Sequence, residues 1–234
     1  MFERHPSEAR LRAFASASAA ACTALAALGA AAAPLTVSVT DERGKPLADA
    51  VVYVIVKGLP ARPAATAQIE QRGKEFVPRV TVVQTGTAVR FPNNDTVRHH
   101  VYSFSPVRTF DLKLYAGTPS EPVVFDKPGT AVLGCNVHDR MNAWVHVVDT
   151  PLFATTDAEG RATLDVPAGT HRLRAWHFLQ PEPGLPVEQA LAAGAGGSQA
   201  AVRIKVVAAP TAPAGSPVHV SHLGHAGHAE NSGH

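Results

Sequence analysis

Residues 131–148 read AVLGCNVHDRMNAWVHVV and place a thiol, an imidazole and a thioether at three-residue steps: Cys135, His138 and Met141. Residues 91–104, FPNNDTVRHHVYSF, add the adjacent imidazoles His99 and His100. A thiolate, an imidazole and a thioether this close along the chain can converge on one ion only if their loop curls around it. A short connection between two antiparallel strands supplies such a curl. One further imidazole from the 99–100 pair would complete a His2Cys trigonal set with a weak axial Met, the donor set of a blue-copper electron-transfer site. Zinc would normally recruit a fourth hard or borderline ligand instead of a thioether. Taken singly, each residue has a plainer reading, since an isolated Cys is usually a small buried hydrophobe and a single Met core filler. Their conjunction points to metal.

The elements that must hold these groups are strands. Residues 91–104 read as a strand end, a turn-rich NND stretch and a new strand entered at His99 and His100. Residues 131–148 read as a strand ending at Cys135, a tight loop and a second strand from about Ala143. On either side, the residues alternate with the period of two that marks a half-buried strand. Leu35, Val37 and Val39 alternate with Thr36, Ser38 and Thr40; a turn follows at Asp41–Pro46, and Ala50–Val56 forms the next strand. Residues 153–178 repeat this grammar, with a D-x-x-G turn at Asp157–Gly160, a strand, a P-A-G turn at Pro167–Gly169 and another strand. Residues 181–201, rich in Ala, Gly and Pro, read as a flexible loop.

The run FPNNDTVRHHVYSF followed by the Cys-x2-His-x2-Met loop resembles the cupredoxins, the small blue-copper proteins, over roughly residues 69–149. The short loop is similar to that of amicyanin and the F-x-N-N start to that of plastocyanin, and the arrangement also resembles bacterial methylamine-utilisation cupredoxins. The resemblance implies a Greek-key β-sandwich that binds copper through His99, Cys135, His138 and Met141. His99 follows from counting eight residues on from Phe91, with His100 the alternative at the next position. It further implies that Asn93 or Asn94 hydrogen-bonds across to the Cys loop, and that the His138 ring edge carries the electron. Asp139 and Arg140 depart from the Pro and apolar residue that amicyanin-like loops carry after the His. The flanks, 34–68 and 150–208, resemble the two halves of a carboxypeptidase regulatory-like (transthyretin-type) sandwich. The expected fold is therefore all-β: a cupredoxin-like sandwich inserted in, or fused to, a second small sandwich, with Val202–Val207 as its last strand.

Composition narrows the function classes. Across 234 residues, 21 Lys+Arg face 19 Asp+Glu, a net charge of +2. The basic residues are not clustered, which argues against a nucleic-acid partner. Residues 1–33 read as an export signal, with Arg4, Arg10 and Arg12 before an uncharged Ala-rich run and small residues at Ala31 and Ala33. Cleavage there would remove Cys22, leave Cys135 as the single cysteine, place the protein in the periplasm or otherwise outside the cytoplasm, and leave no stable membrane insertion. Residues 209–234 read as a disordered tail in which His219, His222, His225 and His228 recur every third residue, able to collect metal loosely. His146, His171 and His177 read as structural, and Trp144 and Trp176 as packing anchors. The chain carries no G-x-S-x-G, HExxH or G-x-G-x-x-G motif, so no enzymatic activity is expected. The expected function is an exported one-electron carrier exchanging electrons with partner proteins. Alternatives are a copper-delivery protein that uses the His-rich tail, or a β-sandwich interaction module.

Overall fold

A computed structural model describes residues 32–63, 66–119, 121–181 and 185–207, and the fold is all-β. In chain order the strands are β1 (Ala32–Thr40), β2 (Val51–Ile55), β3 (Ala67–Gln68), β4 (Glu70–Arg72), β5 (Glu75–Val77) and β6 (Val80–Gln84). Then come β7 (Thr87–Arg90), β8 (His99–Ser105), β9 (Arg108–Tyr115), β10 (Val123–Phe125), β11 (Gly129–Gly134) and β12 (Asn142–Val148). The last are β13 (Phe153–Thr155), β14 (Arg161–Pro167), β15 (Gly169–Trp176), β16 (Val187–Ala193) and β17 (Ser198–Arg203). The expected signal and the His-rich tail lie outside the described residues, except that Ala32 and Ala33 already belong to β1, paired with Pro167 and Val166.

The first two strands pair with the last five. One sheet runs β14-β1-β17 and another β13-β2-β15-β16. They share one core, built from Leu35, Val37 and Val39 of β1, Val52 and Val54 of β2, and Leu164, Leu173 and Val202 from the C-terminal strands. Two aspartate turns close this unit in the same way. The Asp41 carboxylate accepts from the backbone N–H of Arg43 and Lys45, and Asp157 does so from Glu159 and Arg161. Such a side chain satisfies its own turn and needs no other partner. Thr156 ties the N-terminal part of this unit to its C-terminal part: its buried hydroxyl donates to the Leu47 carbonyl at 2.6 Å and accepts from the Ala50 N–H at 2.9 Å.

The intervening strands form a five-stranded sheet, β6-β12-β11-β8-β9, opposite β10-β7-β3, with the β4–β5 hairpin beside them. Their core contains Phe91, Phe125, Leu133 and Val145 together with Cys135 and Met141. The strand β12 is buried on both faces. Ala143, Val145 and Val147 enter this core, while Trp144 and Val148 turn to a third cluster with Val51, Tyr53 and Trp176. The same division explains the unbroken apolar run of β2, which packs Val52 and Val54 one way and Val51 and Tyr53 the other. This third cluster is where the flanking strands meet the intervening ones.

One expectation is corrected. Residues 181–201, read as a flexible loop, contain β16 and most of β17, and the final strand ends at Arg203 instead of Val207. Alanine and glycine disguise the pattern, since both are poor strand formers. The period of two is nevertheless present: Val187, Gln189, Leu191 and Ala193 are the more buried set of β16, and Leu191 reaches the first core.

Candidate metal centre

Two strand connections deliver the site. Cys135 follows directly after β11, and the chain turns back into β12 through residues 136–141, where the Met141 N–H donates to the His138 carbonyl at 2.9 Å. Gly134, just before the cysteine, lies against the Tyr102 ring of β8. A Cβ there would stand 2.7 Å from the hydroxyl end of the ring, so the ring can lie over this position because it is a glycine. On β8 the pairing with β9 slips between His99 and Val101, a bulge of the kind that re-aims side chains beside functional sites.

The bulge sends the two histidines in opposite directions. His99 is fully buried and its Nδ1 lies 3.9 Å from the Cys135 Sγ. His100 pairs instead with the carboxylate of Asp111 on β9. Donor atoms of His99, Cys135 and His138 all lie within 4.8 Å of one another. Met141 is buried in the same core cluster as Cys135 and lines the same cavity beside it. His138 is half-buried, and its Nδ1 has no hydrogen-bond partner although it is shut off from solvent.

These residues fit a metal ion. Metal bonds of about 2.3 Å to sulfur and about 2.05 Å to nitrogen, at trigonal or tetrahedral angles, set the two donor atoms about 3.6–3.8 Å apart. The observed 3.9 Å between the Cys135 sulfur and His99 nitrogen matches that spacing, whereas it is too long for a strong hydrogen bond. A buried ring nitrogen without a partner costs roughly 1–3 kcal/mol, a cost that coordination would remove. A thiol, two imidazoles and a thioether are soft to borderline donors and suit copper better than calcium or magnesium.

The surroundings depart from expectation at the asparagines. The Asn93 amide donates to the Val97 and Tyr115 carbonyls, both at 2.9 Å, and its oxygen accepts from the Asp95 N–H. Its side chain thus braces its own turn against β9 and makes no bond to the Cys loop. Asn94 is exposed, and its backbone N–H donates to the Gln71 carbonyl. Both N–H groups and the oxygen of the Asn93 side-chain amide are thus engaged away from the loop.

Sequence reading missed Asp95. Its carboxylate lies 2.7 Å from the His99 Nε2 and accepts from the N–H groups of Gly73 and Lys74 at the tip of the β4–β5 hairpin. Burial tends to raise its carboxyl, but the bonds from Lys74, His99 and Gly73 outweigh that and hold it below the usual carboxylate range. The signal was present in the sequence: a carboxylate four residues before a candidate ligand. Nearby, burial pushes the Tyr115 hydroxyl up to about 12, so it stays protonated and donates to the Phe91 carbonyl at 2.7 Å.

The other histidines among the described residues lie elsewhere. His146 is buried in the third cluster, stacked on Trp176 with ring centroids 4.6 Å apart, and shares a hydrogen bond with Thr130. His171 and His177 bond to the backbone carbonyls of Pro167 and Ala48. Trp144 packs against Phe178, and the Arg79 guanidinium lies over both rings.

No family model matches the chain, and no curated protein matches it. Among solved structures it is similar to a Cu-containing nitrite reductase from Thermus scotoductus SA-01, at 22% identity and a TM-score of 0.35, over 41% of this chain and 25% of that one. It is also similar to a purple cupredoxin from Nitrosopumilus maritimus, at 21% identity and a TM-score of 0.32, over 35% of this chain and 99% of that one. A mutant of amicyanin in its Cu(I) form gives 14% identity and a TM-score of 0.33, over 42% of this chain and 98% of that one. The chain thus spans a quarter of the nitrite reductase and nearly all of the two smaller proteins. The expectation of no enzymatic activity is corrected by the first of these. A reductase stands beside the amicyanin and the purple cupredoxin among the similar structures, so the likeness gives no ground for excluding catalysis.

Proposed function

We propose that this chain is an exported type 1 copper protein that carries single electrons, with His99, Cys135, His138 and Met141 as the ligands. The observation that supports this reading most directly is the convergence of a buried thiol and two imidazole donors within 4.8 Å, one ring nitrogen being buried without a partner. Copper held there supplies a one-electron couple between Cu(II) and Cu(I).

The protein residues account for the rest of the mechanism. Cys135, once deprotonated, gives the strongest donor, and its burial beside Leu133, Ala143 and Met141 keeps water and other thiols away from it. His99 is fixed by the sheet on one side and by Asp95 on the other, so its Nδ1 cannot swing aside between oxidation states. Met141 supplies a weak thioether contact that tolerates both states. His138 stands at the rim between exposed Val137 and Asp139, where its ring edge reaches toward a docked redox partner.

Adding one equivalent of Cu(II) to the protein and recording the optical spectrum tests this proposal. An intense visible thiolate-to-copper band is expected, reversible on reduction and absent in Cys135→Ser. A colourless Cu(II) complex of the unmutated protein would defeat the reading.

A further inference from the structure

The structure contains two carboxylate–histidine pairs on adjacent residues, and only one of them faces the donor cluster. His99 is bound at Nε2 by Asp95, and its Nδ1 looks at Cys135; His100 is bound at Nε2 by Asp111, on the partly exposed side of β9. Asp95 is held far more tightly than a surface carboxylate. Its Oδ1 accepts from the Gly73 N–H at 2.6 Å, its Oδ2 from the Lys74 N–H at 2.9 Å, and its own N–H is anchored on Asn93. Gly73 and Lys74 both take positive φ, 64° and 62°, which turns two successive N–H groups toward the one carboxylate.

From this geometry we infer that Asp95 sets the donor strength of His99, and through it favours oxidised over reduced copper. The inference rests on the copper-site reading above. The effect is electrostatic. A carboxylate that accepts the Nε2 proton fixes the tautomer with Nδ1 free to bind metal, and it pushes electron density into the ring. It also places a negative charge one imidazole away from the ion, across a fully buried ring where screening is reduced. Both effects stabilise Cu(II) more than Cu(I), because the oxidised ion carries the larger charge. Asp95 is therefore a positioning and tuning residue, with no contact to the metal itself.

The experiment compares Asp95→Asn, Asp95→Glu and Asp111→Asn, each in the full chain. Outer partners of metal-bound histidines change metal affinity by about 10–100-fold. We expect Asp95→Asn to weaken Cu(II) relative to Cu(I) about tenfold, which for a one-electron couple raises the reduction potential by about 59 mV. Asp95→Glu, which keeps the charge, should restore most of the change, and Asp111→Asn should leave the potential where it was. Nitrogen NMR of the metal-free protein gives a readout independent of copper: His99 should carry its proton on Nε2, and in Asp95→Asn that signal should shift. An unchanged or lowered potential in Asp95→Asn, an equal rise in Asp111→Asn, or a proton on the His99 Nδ1 would each overturn the inference. If the unmutated protein shows no visible band but the tautomer is as stated, the copper reading fails while the Asp95–His99 arrangement stands.

Discussion

His146 makes a pH-dependent prediction that follows from packing alone. It is 2% exposed, lies between the rings of Tyr53 and Trp176, and shares one hydrogen bond, with Thr130. Its Nε2 has no partner, and burial lowers its pKa from the ordinary 6.5 to about 4. In the unfolded chain the same ring takes up a proton near pH 6.5. Its native environment therefore favours the neutral form, and the contribution is complete above pH 6.5 and disappears as the pH falls toward 4. A separation of about 2.5 pH units, at about 1.4 kcal/mol per unit, makes that loss about 3 kcal/mol by pH 4. His146→Phe keeps a ring on Trp176 and has no proton to bind. Urea unfolding of both proteins with chelator present, at pH 7, 6, 5 and 4, isolates the effect. His177, whose burial also lowers its pKa, is common to the two and cancels. The variant should gain on the unmutated protein by about 3 kcal/mol across that range, with about three quarters of the change below pH 6. A difference that stays flat with pH would show that His146 takes up its proton as readily in the folded protein as in the unfolded chain, and would refute the reasoning.

Two further substitutions probe the frame around the site. Gly134→Ala places a methyl group 2.7 Å from the Tyr102 ring, one residue before Cys135. It should cost about 1–3 kcal/mol in urea unfolding and reduce the visible copper band, because either the half-buried Tyr102 ring or the strand that carries the thiol must shift to make room. Thr156→Val removes a buried hydroxyl that serves both Leu47 and Ala50. The expected cost is about 2 kcal/mol of stability with the copper band unaltered, since two buried backbone groups lose their partner far from the donor cluster.

The donor cluster was legible in the sequence because its chemistry is local. Cys135, His138 and Met141 sit in one seven-residue connection, and their spacing needs only a curl. His99 was preferred over His100 by its count from Phe91, but the physical cause that divides them was not legible, since the bulge arises in the pairing of β8 with β9 and not in either strand alone. Asp95 was overlooked for a similar reason: its significance comes from the hairpin at Gly73–Lys74, more than twenty residues earlier. The flanking strands announced themselves where Val and Leu alternate with polar residues, as in β1 and β14. They stayed hidden in β16, where alanine occupies the exposed and the half-buried positions alike. Burial of β12 on both faces was half-visible: Trp144, His146 and Val148 share a side, but that this side meets Tyr53 and Trp176 follows from contacts with distant parts of the chain.

The order in which the strands are made has a cost of its own. β1 emerges first, yet its two neighbours are β14 and β17, and β14 begins about 120 residues later. At synthesis rates of about 5–20 residues per second, its apolar side and both unpaired edges stay uncovered for on the order of ten seconds. A chain that stops early, anywhere before Arg161, never covers them at all. Such fragments would present a ready template for one another, so truncated copies should clump rather than survive as smaller folded units.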